Sequence, residues 1–249
     1  MTTNAVPRIG CAGWSIPTAQ ATLFPGEGSH LERYARRFNA VEINSSFYRP
    51  HQPRTYAKWA AQVPDGFRFA VKFPRAVTHQ SRLREPDETV SAFATQVREL
   101  GDRLGPILVQ LPPSLAFEAD VAGAFFETLR SHLDAPIVCE PRHATWFEPS
   151  LDPFWARHGV ARVAADPARV PEAAIAGGAG PVRYWRLHGS PTVYYDAYGD
   201  ERLAPWAQAV RAARDAGAEP WVIMDNTARG HAPIDAMRLE ALLATDAAG

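Results

Sequence analysis

The stretch IVCEPRHATWF, Ile137–Phe147, begins as a continuous apolar run and ends in an acid, a proline, a guanidinium, an imidazole and an indole. A short apolar run without polar alternation is the pattern of a parallel strand buried on both faces. Side chains alternate along a strand, so Glu140 and Arg142 are expected on one face, with Pro141 and His143 on the other. Charge aimed inward from a buried strand is unfavourable unless it is paired or used. The same plan, an apolar run closing on polar residues, recurs along the chain.

Upstream lie RIGCAGWS (Arg8–Ser15), AVEINSSFY (Ala40–Tyr48), FRFAVKFP (Phe67–Pro74) and GPILVQLPP (Gly105–Pro113). Downstream lie VARVAADP (Val160–Pro167), VRYWRLHGS (Val182–Ser190) and PWVIMDN (Pro220–Asn226). Between them the spacing of apolar residues predicts helices over 31–38, 53–63, 87–100, 120–133, 151–158, 203–216 and 233–243. The connection through Ala176-Gly177-Gly178 reads as short and helix-poor. Strand and helix alternating eight times in 249 residues is the rhythm of a (β/α)8 TIM-type barrel with parallel strands, one domain over residues 1–249. The competitor is a doubly wound open sheet. That fold usually carries a Gly-rich phosphate fingerprint after its first strand, and GCAGWS is not GxGxxG.

Composition bounds the partners. With 46% hydrophobic and 21% charged residues and a net charge of −1, the chain has the makings of a large core. It offers no general electrostatic attraction to nucleic acid or acidic membranes. Cys11 and Cys139 sit in apolar runs and read as reduced, buried small hydrophobes. No secretory leader pattern and no bilayer-length apolar stretch is present, so a cytoplasmic protein is the default expectation. Of 26 basic residues only Lys58 and Lys72 are lysine, which makes each worth a question.

In a barrel of this type the chemistry sits at the carboxyl ends of the strands, on the inward parity. Taking each strand's last inward positions gives Trp14, Glu42 and Asn44, Lys72, Gln110, Glu140 and Arg142, Asp166, Arg186 and His188, and Asn226. Three acids (Glu42, Glu140, Asp166) thus meet three bases (Lys72, Arg142, Arg186), with His188 able to switch. A self-neutralising network that closes the barrel is one reading. A site is the other, and it is the usual reason to accept so much desolvation.

Lys72, between Val71 and Phe73, is expected to be partly desolvated, which suits a general base or a Schiff-base amine; an ion pair with Glu42 or Glu140 is the alternative. His188 stands ahead of His143 as proton carrier, because His143 is placed to cap the following turn. Glu140, His188, Lys72, Glu42 and Asp166 are therefore the catalytic candidates. Arg142, Arg186, Asn44, Gln110, Asn226, Trp14, Tyr48, His143 and Trp146 are the substrate-binding ones. Two arginines and a lysine in one pocket suit a small anion, a carboxylate or phosphate. No cofactor is expected. A divalent ion on Glu42, Glu140, Asp166, His188 and Asp225 is the alternative, but it lacks HExxH or Cys-rich spacing and would face three fixed cations. The loop aromatics Trp14, Phe47, Tyr48, Trp146, Phe147, Tyr194, Tyr195 and Tyr198, with Arg82, Arg84 and Arg229, keep a single-stranded nucleic acid as a minor alternative.

The motifs IGCAGWS, VEINSSFYRP, FAVKFP, LVQLPPSL, CEPRHATWF, YWRLHGS and MDNTARGHAPIDAMRLEALL, in that order, resemble the YecE-like family, a domain of unknown function numbered 72. The resemblance covers essentially the whole chain and implies a TIM-type barrel; it implies no activity, because none is attached to the family's name. Its segments overlap the ring reached by strand parity. Pro141 departs from the pattern, where a non-proline residue is expected, and puts one backbone hydrogen bond in doubt. The sequence therefore points to an enzyme (hydrolase, lyase or isomerase) using general acid–base chemistry on a small anion. A metal-assisted phosphoester hydrolase and a non-catalytic binding barrel stand as alternatives.

Overall fold

The computed structural model describes residues 5–245. Ten strands and seven α-helices occur among these residues. One sheet has the order β1 (Arg8–Cys11), β10 (Glu219–Met224), β9 (Val182–Leu187), β7 (Ala164–Asp166), and every pair in it is parallel. The other runs β2 (Ala40–Ile43), β3 (Arg68–Lys72), β4 (Leu104–Gln110), β5 (Ile137–Glu140), β6 (Val160–Arg162), β8 (Gly177–Gly178). The fold is α/β and TIM-barrel-like, with consecutive parallel strands connected mainly through helices.

The two sheets approach each other on both sides. Ala12 bridges Glu42 in parallel, and the Gly13 amide donates to the Glu42 carbonyl at 2.9 Å. On the far side β6 and β7 follow one another with only Val163 between them; β6 pairs with β5 and β7 with β9. Close approach at the first seam depends on Gly10, where a Cβ would lie 2.0 Å from the Ala40 carbonyl oxygen and 3.0 Å from the Tyr34 hydroxyl. That hydroxyl accepts from the Cys11 amide and donates to Ala40, tying β1 to β2. Gly10→Ala is expected to destabilise the protein by about 1–3 kcal/mol, the usual cost of overpacking. Urea denaturation checks it, and an unchanged midpoint would contradict this account of the seam.

One expectation is corrected here: not all strands are parallel. β8 pairs with β6 in antiparallel sense. The sixth connection contains the 3-10 turn Pro171–Ala174 and no α-helix, so the chain returns along the edge of β6. Gly178 permits that contact, since a Cβ there would lie 2.5 Å from the Val160 carbonyl oxygen.

The helices are α1 (His30–Ala35), α2 (Pro53–Ala61), α3 (Asp87–Val97), α4 (Ala119–His132), α5 (Asp152–His158), α6 (Asp200–Asp215) and α7 (Ala232–Thr245). Their apolar faces and the outward strand residues make the larger core, built on Val41, Phe69, Val109, Cys139, Trp155, Leu187 and Met224 among others. A smaller inner core holds Ala40, Ala70, Leu108, Val138, Ala161, Val163, Val182, Tyr184, Trp221 and Ile223. Small residues from β2, β3 and β6 leave room there for Tyr184 and Trp221, which stack at 6.1 Å and 10°. These two lists record which parity faces inward on each strand. Both cysteines are free and buried. No helix among the described residues is long and apolar enough to cross a membrane.

Candidate active site

The inner parity, continued to the carboxyl ends, brings charge together directly above the inner core. At its centre is Arg186, fully buried. Its Nε and Nη2 donate to Glu42 at 3.0 and 2.8 Å, its Nη1 to Glu140 Oε2 at 2.8 Å, and its Nη2 also to Asp225 Oδ2 at 2.9 Å. One planar fork thus serves three buried carboxylates from β2, β5 and the end of β10. The Tyr184 hydroxyl donates to Glu42 Oε2 at 2.9 Å. Glu140 Oε1 accepts from Arg142 Nε and Nη2 at 2.9 and 2.7 Å and from Gln110 Nε2 at 3.1 Å. Burial pushes the Glu140 carboxyl up, but Arg186 and Arg142 outweigh it and hold the group well below the usual range.

His188 completes the cluster. Its Nδ1 pairs with Asp225 Oδ2 at 2.9 Å, while its buried Nε2 makes no hydrogen bond and faces Glu140 Oε1 at 3.5 Å, an ion pair when the ring is protonated. Burial lowers the imidazole's pKa, yet the carboxylates of Asp225 and Glu140 reverse the sign and the net shift is upward. An imidazole oriented by an acid through one nitrogen and unpartnered at the other can give or take a proton.

Lys72 shares the inward parity of Ala70 and is only 5% exposed. The expected ion pair with Glu42 or Glu140 does not form: its ammonium has no hydrogen-bond or ion-pair partner among the described residues and sits 4.2 Å above the Phe47 ring. Arg186 already occupies the acids. Burial, and then Arg186, bring the amine's pKa down to about 8, against the pull of Glu42, Glu140 and Asp225.

Two predicted members belong elsewhere because the strand phase runs the other way. Ala161 and Val163 face inward, so Asp166 falls with Ala164 on the outer side, where its carboxylate accepts from the Tyr198 hydroxyl at 2.6 Å. Trp221 and Ile223 face inward, so Asp225 joins the site and Asn226 does not. Asn226 instead donates to Asp235 at 2.7 Å and to the Asp196 carbonyl at 3.0 Å, within the loop support. Adjacent polar residues made this choice undecidable from the one-dimensional pattern.

The aromatic candidates also disperse. The chain turns at Gly13, and Trp14 packs edge-on against Trp59 and Phe69 rather than over the mouth. Trp146 is a core residue whose indole donates to the Leu115 carbonyl at 2.8 Å. Tyr48 is 65% exposed and meets the Phe47 ring edge-on. His143 caps the following 3-10 turn, its Nδ1 facing the Thr145 amide and hydroxyl. Asn44 lies just past β2, at the start of the 3-10 turn Ser45–Phe47, and its buried Oδ1 has no hydrogen-bond partner among the described residues. Pro141 lies just past the last β4–β5 pair, Gln110–Glu140, so it ends the strand without breaking the ladder.

Tyr184 and His79 stand outside the candidates read from sequence, and Tyr194 enters them only as one of the loop aromatics. Tyr184 follows the same parity as Arg186 and could have been found by extending it two residues back. Tyr194 meets the His188 ring edge-on at 5.7 Å, placed by a loop that sequence does not position. His79, on the π-helical turn Ala76–Gln80, meets the Phe47 ring edge-on at 5.0 Å; burial, followed by Lys72 and Arg142, brings its pKa down to about 4.

A cavity of about 410 Å³ opens here, lined by Glu140, Arg142, His188, Tyr194, Pro167 and Arg169 among others. A larger groove of about 700 Å³ lies between Phe47–Pro50 and α3. It touches none of the Arg186 network, so the smaller cavity is the better site. Among the described residues no three His, Cys, Asp or Glu side chains are arranged to hold a metal. Arg186 stands where an ion shared by Glu42, Glu140 and Asp225 would sit. Arg229 lies 5.5 Å over the half-exposed Tyr195 ring, and both members of this pair are loop candidates named from sequence.

The family profile described as "Protein of unknown function DUF72" matches residues 8–249. UPF0759 protein YecE of Escherichia coli (strain K12) is 34% identical over 142 residues, which are 55% of this chain and 52% of that protein. The match therefore spans about half the length of that curated relative. A DUF72 family protein from Enterococcus faecalis V583 superposes with a TM-score of 0.79 at 21% identity, covering 96% of this chain and 95% of the other. A xylose isomerase-like TIM barrel/4-hydroxyphenylpyruvate dioxygenase fusion protein gives a TM-score of 0.50 at 15% identity, covering 85% of this chain and 39% of that one. These likenesses concern the fold.

Proposed function

The chain belongs to the DUF72 family, whose name carries no activity, and from the chemistry of the site we propose that it is an enzyme of general acid–base type acting on a small carboxylate or phosphate. In this reading one domain forms a closed (β/α)8 barrel, and the substrate enters the cavity at its carboxyl-terminal mouth. Arg142 binds the anion, since its Nη1 has no partner among the described residues while Nε and Nη2 are held by Glu140. His188 moves the proton, with Asp225 as its orienting acid. Glu42, Glu140 and Arg186 keep these groups in place.

The observation that carries the reading is the buried Nε2 of His188 beside that cavity, which makes no hydrogen bond and has Glu140 only at 3.5 Å. A buried nitrogen without a partner is unfavourable and is expected to be satisfied by a ligand. Charge agrees with this. With His188 protonated, four cationic groups face the three acids, leaving room for one negative group.

Titration calorimetry with inorganic phosphate and a panel of short carboxylates tests the proposal. Saturable binding is expected, weakened about tenfold or more by Arg142→Ala, since a hydrogen bond to a charged group contributes ~1.5–3 kcal/mol. Affinity should fall as pH rises through the raised pKa of His188, and His188→Asn should remove that dependence. If no anion binds, or if Arg142→Ala binds as tightly as the unaltered protein, the reading is wrong.

A further inference from the structure

Lys72 stands apart from every other cation of the site. Arg186 and Arg142 are tied to carboxylates, whereas the Lys72 ammonium has no ion pair among the described residues and sits over the Phe47 ring. It projects from the last residue of β3 on the inward side, where catalytic groups of such barrels are placed. A buried lysine left without an acid, next to three acids that an arginine has taken, is an unfavourable arrangement if its only duty is charge. Resting on the anion-binding reading above, we propose that Lys72 is a nucleophile, and that the substrate is an oxo acid whose carbonyl carbon forms an imine with Lys72 while its carboxylate is held by Arg142.

The step balances without an oxidant or reductant. The neutral amine adds to the carbonyl carbon, forming a C–N bond, and the carbonyl oxygen is protonated by the His188 imidazolium. The oxygen then departs as water, carrying away in net terms the two protons of the amine, with His188 as the relay. The imine, once protonated, draws electrons from adjacent bonds, which is the use such lysines have in lyase chemistry.

The titration of the groups around Lys72 agrees with this. Burial and Arg186 favour the free amine, while Glu42, Glu140 and Asp225 oppose, and the balance is a pKa of about 8. Relative to an ordinary lysine this enlarges the neutral fraction at neutral pH by roughly two orders of magnitude. His79, across the Phe47 ring, is held neutral near pH 7 by its own pKa of about 4, so it adds no further positive charge.

The chain makes the test clean, because Lys58, exposed on α2, is its one other lysine. The full-length protein is incubated with pyruvate or glyoxylate and sodium cyanoborohydride, and the product is read by intact mass and peptide mapping. One reduced adduct on Lys72 is expected, retained in Lys58→Arg and lost in Lys72→Arg. Its rate should rise through a pH near 8 rather than near 10. Absence of an adduct at Lys72 with both probes overturns the proposal, as does labelling of Lys58 to an equal extent. Melting temperature separates the two failures. Probes that stabilise the protein without trapping refute only the imine, whereas probes that neither stabilise nor trap refute the anion site as well.

Discussion

Arg186→Met is expected to be the most damaging single substitution in this protein. Removing one partner of a buried ion pair typically costs ~3–5 kcal/mol, because the other charge is left uncompensated. Here three carboxylates, Glu42, Glu140 and Asp225, lose their common partner at once, and each is at most 5% exposed. A loss at the top of that range would remove from about a third to all of the stability of an ordinary domain, which is about 5–15 kcal/mol. Arg186→Lys should recover little of it, since an ammonium cannot bridge three acids with a planar fork.

The sign of its pH dependence follows from the acids. In the unaltered protein Glu140 and Asp225 have depressed pKa values. Their contribution is present above the ordinary carboxylate range and disappears as pH falls through the folded-state values. Without Arg186 those values rise, so the deficit of the variant should narrow between about pH 7 and pH 5. Urea denaturation at both pH values measures it. A deficit below ~1 kcal/mol at neutral pH would mean that the network contributes little to stability, as exposed pairs do.

Lys72→Met should move stability the other way. A lysine pKa lowered from 10.5 to about 8 means that the folded state disfavours the charged form by on the order of 3 kcal/mol. Lys72 is 5% exposed, so solvent screening does little to reduce that figure. Between about pH 8 and 10.5 the unfolded chain binds more protons at this position than the folded one, and stability therefore climbs with pH across that window. Methionine removes both the penalty and the slope, and its thioether suits the ring of Phe47. The variant is expected to be more stable at pH 7 by up to that amount, with the gain shrinking above pH 8. Thermal denaturation across pH is the measurement; a variant less stable than the parent at pH 7 would sink the idea. A stabilising substitution at a site residue is what a conflict between function and stability produces.

Much of this site is legible in the chain because strand alternation is a local property. Glu42, Lys72, Gln110, Glu140, Arg186 and His188 are each found by following one strand to its end at steps of two. The helix-poor sixth connection and the capping position of His143 are legible for the same reason, since glycine, proline and cap chemistry act within a few residues. Asp166 and Asn226 fail where local information runs out. Ala165 and Asp166, or Asp225 and Asn226, occupy opposite faces, and only the packing of Ala161, Val163, Trp221 and Ile223 against the other strands says which face is inner.

What the sequence alone determined is the alternation of strand and helix, the buried parity of most strands and the set of charges offered to the mouth. What only the tertiary structure decided is who pairs with whom. Arg186 takes Glu42, Glu140 and Asp225 together, leaving Lys72 without an ion pair among the described residues and His188 Nε2 without a hydrogen bond. The reason is physical. Secondary structure follows from neighbours along the chain, whereas long charged side chains choose partners across strands that are distant in sequence, and a guanidinium fork outcompetes a point charge for several carboxylates at once.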